Sequence, residues 1–352
     1  VQELQDAPLA PLTTLRLGGP ARRLVTATTD AEVVETVRRA DRSGEPLLVI
    51  GGGSNLVIGD KGFDGTVLHI ATRGRSLDGT ALESAAGEIW TELVDETVLR
   101  HGLAGIEFLA GIPGSVGATP VQNVGAYGQE VAGTVTEVVA FDRDADRVVT
   151  LTGADCAFSY RHSRFKAAPE RYVVLRVRFA LEDAGGLSTP VRYAEAARTL
   201  GVEPGERVEL TAAREAVLKL RSGKGMVLDP ADHDTWSAGS FFTNPVLDPE
   251  QFAAFSARVR DRLGPDAAFP AYPAADGSTK TSAAWLIEKS GFTKGYGSGP
   301  ARLSGKHTLA LTNRGRATTE DLLALAREIR AGVQAAFGVT LVNESVLVGV
   351  EL

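Results

Sequence analysis

The sequence predicts an α+β protein of two or three domains. Short apolar runs and alternating stretches mark strands that are interleaved with amphipathic helical stretches in the first half. Two glycine-rich passages interrupt that pattern, and the last third changes character toward longer helices. At 352 residues the chain is long for one domain.

In chain order, residues 8–28 carry Thr13-Thr14-Leu15-Arg16-Leu17-Gly18-Gly19-Pro20 and then a short strand through Leu24-Val25. Asp30 is expected to cap a helix with Val33, Val34, Val37 and Ala40 on one face, ended by Gly44. Leu47–Ile50 reads as a buried strand, and Leu56–Ile58 as another that resumes after five small residues. From Thr66 to about Ile89 the pattern alternates as strands, and a helix over Glu92–His101 buries Leu93, Val94, Val98 and Leu99. Strands are expected at Val135–Asp142, Arg147–Leu151 and Tyr172–Ala180, with Asp144-Ala145-Asp146 as a turn. Residues 183–236 read as an insertion with helices around Ala194–Leu200 and Thr211–Lys219. Helices at Phe252–Leu263, Ser282–Lys289 and Thr319–Phe337 follow, the last with Leu322, Leu325, Ala326, Ile329, Val333 and Phe337 on one stripe. A strand-like Asn343–Gly349 closes the chain.

Composition narrows the function. Hydrophobic residues at 43% and charged residues at 23% are ordinary for a soluble globular enzyme. The formal net charge of −7 argues against general nucleic-acid binding but leaves phosphorylated small molecules open. One cysteine, Cys156, excludes an intramolecular disulfide and suits a reducing cytosol. No run approaches the roughly 18 apolar residues of a membrane span, and the N-terminus lacks a signal pattern. The chain opens at Val1 and its one methionine is Met226, so the start is expected to have been processed or trimmed.

The first glycine passage is Gly51-Gly52-Gly53-Ser54-Asn55. Bare backbone there can take positive φ and converge its N–H groups on an anion, with Ser54 and Asn55 adding side-chain donors. A plain turn between strands is the competing reading. Neither better-known phosphate motif fits. The dinucleotide fingerprint needs glycine where Leu56 stands, and at Gly305-Lys306 the P-loop pattern meets His307 and Pro300 instead. The second passage, Gly111 to Gly128, holds five glycines and two prolines and can lie flat against a planar ligand. Connections that long are functional or disordered, and this one is too apolar for disorder. It is not a nucleophile elbow, because Pro113 precedes Ser115 where glycine is required. The basic stretch Phe158 to Lys166 is either a solvated face or a site for an anionic substrate.

Taken together, Thr14–Gly19, Gly51–Asn55 and Gly111–Gly128 resemble the flavin-binding domain of the vanillyl-alcohol oxidase/p-cresol methylhydroxylase type. Tyr160-Arg161, Gly239-Ser240-Phe241-Phe242-Thr243-Asn244-Pro245 and Asn343-Glu344-Ser345-Val346 narrow the resemblance to the UDP-N-acetylenolpyruvoylglucosamine reductase family, in the form that carries a tyrosine loop. The match covers essentially the whole chain, with its motifs in the family's order. It implies an NADPH-dependent, FAD-mediated reduction of the enolpyruvyl ether of UDP-N-acetylglucosamine to UDP-N-acetylmuramate for peptidoglycan.

The resemblance further implies non-covalent FAD held by Arg16, Gly51, Gly52, Gly53, Ser54, Asn55, Gly111, Gly114, Ser115, Gly117, Ala118, Asn123, Gly125, Ala126 and Tyr160. Arg161, Ser240 and Glu344 match the catalytic arginine, proton donor and glutamate. Tyr193, Lys224, Asn244, Tyr272 and Lys280 match positions that hold the nucleotide, and Lys306 or His307 falls where another contact lies. The chemistry is consistent with these residue types. A fixed guanidinium stabilises charge that grows in the transition state, and a serine acts as an acid only in positive surroundings or with a proton relay. Without the resemblance, an ion pair or a cap would explain each of the three. NADPH and the UDP-sugar are expected to use one cleft in turn, giving ping-pong kinetics.

On this reading residues 1–68 and 347–352 form a first FAD-binding subdomain and residues 69–224 a second, with the tyrosine loop in an insertion at 183–224. Residues 225–346 form an α+β substrate-binding domain. The connection from Lys224 to Ser240 is longer than the family's usual one. A cytoplasmic monomer with no metal, nucleic acid or membrane partner is expected. Two alternatives are an oxygen-using flavin oxidase of the same fold and a nucleotide-sugar-binding protein that has lost catalysis. The first often carries covalent flavin, which neither Cys156, His69 nor His101 supports by its context. The intact Arg161, Ser240 and Glu344 argue against the second.

Overall fold

The computed structural model describes residues 1–352, which divide into two compact units. Unit 1 comprises Val1–Ala7, Ala21–Gly53 and Phe63–Val227, and unit 2 comprises Pro8–Pro20, Ser54–Gly62 and Leu228–Leu352.

Unit 1 contains two larger sheets and the small strand pair Gly125–Ala126 with Gln129–Glu130. The first is four-stranded, in the order Gln2–Pro8, Pro20–Ala27, Phe63–Ile70, Leu47–Ile50. Its last three strands run parallel, which demands a crossover, and the helix Asp30–Ser43 supplies it. The cap of that helix is Thr29, not Asp30. Thr29 is extended and accepts from the Glu32 N–H while Glu32 reaches back, a capping box. Gly44 ends the helix at φ +67, the left-handed conformation glycine adopts without strain. The strand Leu47–Ile50 is less buried than its apolar run suggests, with only Ile50 fully inside.

The second sheet is five-stranded and antiparallel throughout, in the order Arg147–Thr152, Val135–Asp142, Tyr172–Ala180, Ala81–Ala85, Arg75–Asp78. Trp90 opens the helix Trp90–Leu99 and is fully buried, its indole N–H donating to the Leu109 carbonyl. Leu99 is exposed, because the helix stops there and the chain turns at Arg100. Trp90, Phe108, Phe141 and Phe179 anchor the core of this unit, each contributing on the order of 1.5–3 kcal/mol by burial.

Unit 2 is built from small sheets and three helices. Leu56–Ile58 pairs in parallel with Val346–Val348. Val246–Leu247, Thr279–Lys280 and Tyr272–Pro273 form a three-stranded sheet, and Ala301–Leu303 pairs with Leu311–Asn313. Phe255, Phe269, Trp285 and Phe337 pack as an aromatic cluster where the helices Pro249–Leu263, Ala283–Lys289 and Thr319–Phe337 converge. Thr318 and Asp321 form a capping box on the last helix. The Asp60 carboxylate accepts from the N–H groups of Thr319 and Glu320, satisfying donors that a helix start leaves open. No helix is long and apolar enough to cross a membrane.

Candidate active site

In unit 1 the two glycine passages touch backbone to backbone. A Cβ on Gly51 would sit 2.1 Å from Ser115 Oγ, and one on Gly52 would sit 2.8 Å from Gly114 Cα. Gly53 takes φ +57 and Gly114 takes φ +125. The second passage is tied down by its own main chain. Gly114 O accepts from Trp90 N, while Val116 N and Gly117 N donate to the Glu88 and Ala86 carbonyls. Ala118 closes a short turn onto Ser115 O. The two passages approach too closely at Gly51 and Gly52 for a Cβ, and the bare main chain they present is chemistry suited to an anion such as the FAD pyrophosphate, so the residues present fit that cofactor.

Asn123 is buried and adopts φ +48. Its amide donates to Glu130 and to the Ser159 carbonyl, and its oxygen accepts from Ala132 N. This draws the passage against the Ser159–His162 turn. Arg161 stands on that turn at φ +53, its Nη2 donating to the Gly125 carbonyl at 2.9 Å, with Tyr160 beside it. Thus Arg161 is anchored to the strand pair containing Gly125 and Ala126. Tyr193, ahead of the helix Ala194–Leu200, meets Tyr127 edge-on at 5.6 Å. Lys224, at the end of the helix Leu210–Gly223, pairs with Glu195 at 2.6 Å. Arg221 of the same helix donates to the Met226 carbonyl, and its Nε is buried without an acceptor. Burial lowers its pKa to about 10, which leaves the guanidinium charged at neutral pH.

Unit 2 gathers a second set. Phe242 bridges Asn343 in antiparallel fashion, and Glu344 N donates to the Phe241 carbonyl at 2.8 Å. Ser240 and Glu344 therefore stand on paired segments. Asn55 Nδ2 donates to the Glu344 carbonyl, and Asn55 O accepts from Val346 N. Ser54 belongs to this unit, unlike the three glycines before it. Tyr272 pairs directly with Lys280, which also pairs with Val246, two residues beyond Asn244. Asn244 Oδ1 accepts from Ala283 N, the first N–H of a helix whose cap is Ser282. Arg16, at φ +53, lays its guanidinium 4.1 Å from the Trp236 ring centroid. The long connection after Lys224 folds back through polar contacts. Asp232 pairs with Lys306 at 2.6 Å, and Asp234 accepts from Arg314 and from Gly305 N. His307 sits in the same turn, its carbonyl accepting from Ala310 N. No cluster of His, Cys, Asp and Glu suited to a metal is present.

Tyr127, Glu195, Trp236 and Arg221 escape sequence reasoning. Tyr127 lies inside the second glycine passage and was available as its one large aromatic. The others depend on partners remote in sequence.

Comparison with known proteins is consistent with this geometry. Residues 229–348 match the family profile described as UDP-N-acetylenolpyruvoylglucosamine reductase, C-terminal domain, and residues 21–150 match that of an FAD binding domain. A UDP-N-acetylenolpyruvoylglucosamine reductase of Streptomyces avermitilis is 77% identical over 352 residues, covering all of this chain and 96% of the relative. One from Streptomyces coelicolor is 75% identical, covering all of this chain and 92% of the relative. The crystal structure of the corresponding reductase from Thermus caldophilus superposes with a TM-score of 0.67 at 26% identity, over 99% of this chain and 98% of the other.

Proposed function

Because the chain belongs to the UDP-N-acetylenolpyruvoylglucosamine reductase family, we propose that Arg161, Ser240 and Glu344 carry its chemistry and that the two glycine passages hold its cofactor. The protein is a flavin-dependent oxidoreductase that reduces the enolpyruvyl ether of UDP-N-acetylglucosamine to UDP-N-acetylmuramate, with NADPH as co-substrate. Bound FAD supplies the hydride relay between NADPH and the vinyl carbon of the ether. Everything else is the work of side chains. The Arg161 guanidinium stabilises negative charge that grows on the substrate carboxylate as the vinyl group accepts hydride, an effect of about 2.7–4 kcal/mol for one well-aimed donor. The Ser240 hydroxyl delivers a proton to one face of the carbon and sets its configuration. Glu344 acts beside it on the carboxylate end. Tyr193, Lys224, Asn244, Tyr272 and Lys280 hold the nucleotide, together with Lys306 or His307.

The observation that supports this assignment is the main-chain pairing of Phe241-Phe242 with Asn343-Glu344, which joins the segment that bears Ser240 to the segment that bears Glu344. An oxygen-using oxidase of the same fold is not favoured, since relatives 77% and 75% identical are reductases. Nor does Cys156 offer a point of covalent attachment. It is fully buried, and burial pushes its thiol up to about 11, far from the reactive thiolate. We place the enzyme in the cytoplasm as a monomer.

Anaerobic mixing tests the reading. NADPH should bleach the flavin absorbance, and only the enolpyruvyl sugar should restore it. In Ser240→Ala the bleaching should remain near normal while recovery slows by about two to four orders of magnitude. Equal loss in both halves would mean that the serine holds structure rather than a proton.

A further inference from the structure

Lys224 has a partner already. Its Nζ lies 2.6 Å from Glu195 Oε2 and 5.6 Å from the centre of the Tyr127 ring. Tyr127 in turn meets Tyr193 edge-on, and Glu195 follows Tyr193 by two residues. The end of the second glycine passage lies flat under this loop. A Cβ on Gly128 would come within 2.9 Å of Arg192 Cβ. All of these residues belong to unit 1, and one helix start holds both the tyrosine, at its cap, and the carboxylate that occupies the lysine, in its first turn. Both members of the ion pair are about one-third exposed, so water reaches them and the partner can be exchanged.

We propose that Glu195 is a positioning and specificity-determining residue. Its carboxylate holds the Lys224 ammonium over the Tyr127 ring and is displaced when the diphosphate of a nucleotide arrives. The inference rests on the reading that Lys224 and Tyr193 hold the nucleotide, and it goes further by naming what they exchange. The physical ground is a difference in charge and acceptors. A carboxylate offers one negative charge, whereas a diphosphate offers two or more and several additional oxygens to the three N–H groups of one ammonium. Only a ligand of that charge outcompetes Glu195, so weaker anions and uncharged nucleosides leave the pair intact. Tyr127 keeps the ammonium in place on either side of the exchange, because the ring face attracts it whichever anion is present.

The test is calorimetric titration of the FAD-loaded protein with UDP and, as the uncharged comparator, uridine. Glu195→Gln is nearly isosteric and sits on the surface of a helix. It should bind UDP about three-fold tighter, since a partly exposed pair no longer has to be broken, and uridine affinity should not change. In a Lys224→Ala background the gain should vanish, and Glu195→Asp, which keeps the charge, should stay near the unaltered protein. Unchanged or weaker UDP binding by Glu195→Gln, with Lys224→Ala still weakening it, would overturn the role of Glu195 and leave the nucleotide reading standing. UDP affinity untouched by Lys224→Ala would remove the nucleotide reading itself, and this inference with it.

Discussion

Gly51 and Gly52 permit a test of the cofactor cradle in which the two positions respond for different reasons. Neither adopts a left-handed φ, so alanine there is strained only by what its Cβ would meet. At Gly52 the Cβ would stand 2.8 Å from Gly114 Cα, 3.1 Å from the Gly114 carbonyl carbon and 3.3 Å from Ser115 N. Carbon atoms settle at about 3.5–4.0 Å, so one passage must withdraw by roughly 0.7 Å or more. That movement is resisted, because Gly114 O, Val116 N and Gly117 N are all bonded to the main chain of Trp90, Glu88 and Ala86. Overpacking of this kind costs about 1–3 kcal/mol and moves the amides that would face the cofactor. At Gly51 the nearest atom is instead a side-chain oxygen, Ser115 Oγ at 2.1 Å, with Ser115 Cβ at 3.2 Å. Removing that oxygen should relieve the clash. Melting of FAD-stripped and FAD-loaded protein, with the flavin-to-protein ratio after desalting, reads both effects. Gly52→Ala should lower the melting point of the stripped protein by a few degrees and lose most of its flavin. Gly51→Ala should be destabilised alone and recover in a Ser115→Ala background. Wild-type melting and flavin content in Gly52→Ala would refute the cradle, and no recovery in the double variant would refute the side-chain clash.

Two further predictions concern unit 1. Burial, with a smaller push from Asp155, raises the Cys156 thiol from 9.0 to about 11. A raised folded-state value means that its contribution is complete below about pH 9 and is lost as pH rises through 11. Urea unfolding between pH 8 and 11 should therefore fall less steeply in Cys156→Ala, by about 1–2 kcal/mol over the range. An identical slope in the two proteins would contradict this. Thr29→Ala removes the capping box and should destabilise the protein by about 1 kcal/mol in urea unfolding, and a change below a few tenths would show that Thr29 is not the effective cap.

What the sequence reveals and what it hides have physical causes. The helix Thr319–Phe337 was legible to the residue, because its apolar stripe, the Thr318 cap and Gly338 at φ +71 all agree. Tyr172–Ala180 was likewise legible as an alternating strand inside a sheet. Asp30 misleads because aspartate and threonine both cap helices. The deciding signal is Glu32, three residues after Thr29, and it was present in the sequence. Leu99 fits the periodicity yet faces water, since a periodic pattern says nothing about where the last turn stops. In the site, the bare-backbone passages announce themselves because their signal is local composition. Glu195 on Lys224, Asp232 on Lys306 and Trp236 under Arg16 do not, because each pairing spans a distance in sequence that no window covers.

The arrangement in unit 2 explains how a hydroxyl and a carboxylate from distant parts of the chain can be registered without depending on themselves. Glu344 N reaches the Phe241 carbonyl, Val346 N reaches the Asn55 carbonyl, and the strands Leu56–Ile58 and Val346–Val348 continue the pairing in parallel. These are main-chain bonds, whose geometry survives any substitution that keeps the backbone in place. Changes at Ser240 should therefore test the proposed proton delivery while sparing this main-chain pairing, read as near-normal flavin bleaching with slowed reoxidation. Asn244 differs, because its side-chain oxygen accepts from Ala283 N, the first N–H of the helix Ala283–Lys289 that Ser282 caps. There a loss of activity would mix a lost contact with a loosened helix start, since Ser282 still caps the helix but the Ala283 N–H loses its acceptor, at about 1 kcal/mol. Ser240 is thus the position where a kinetic defect can be assigned to proton delivery.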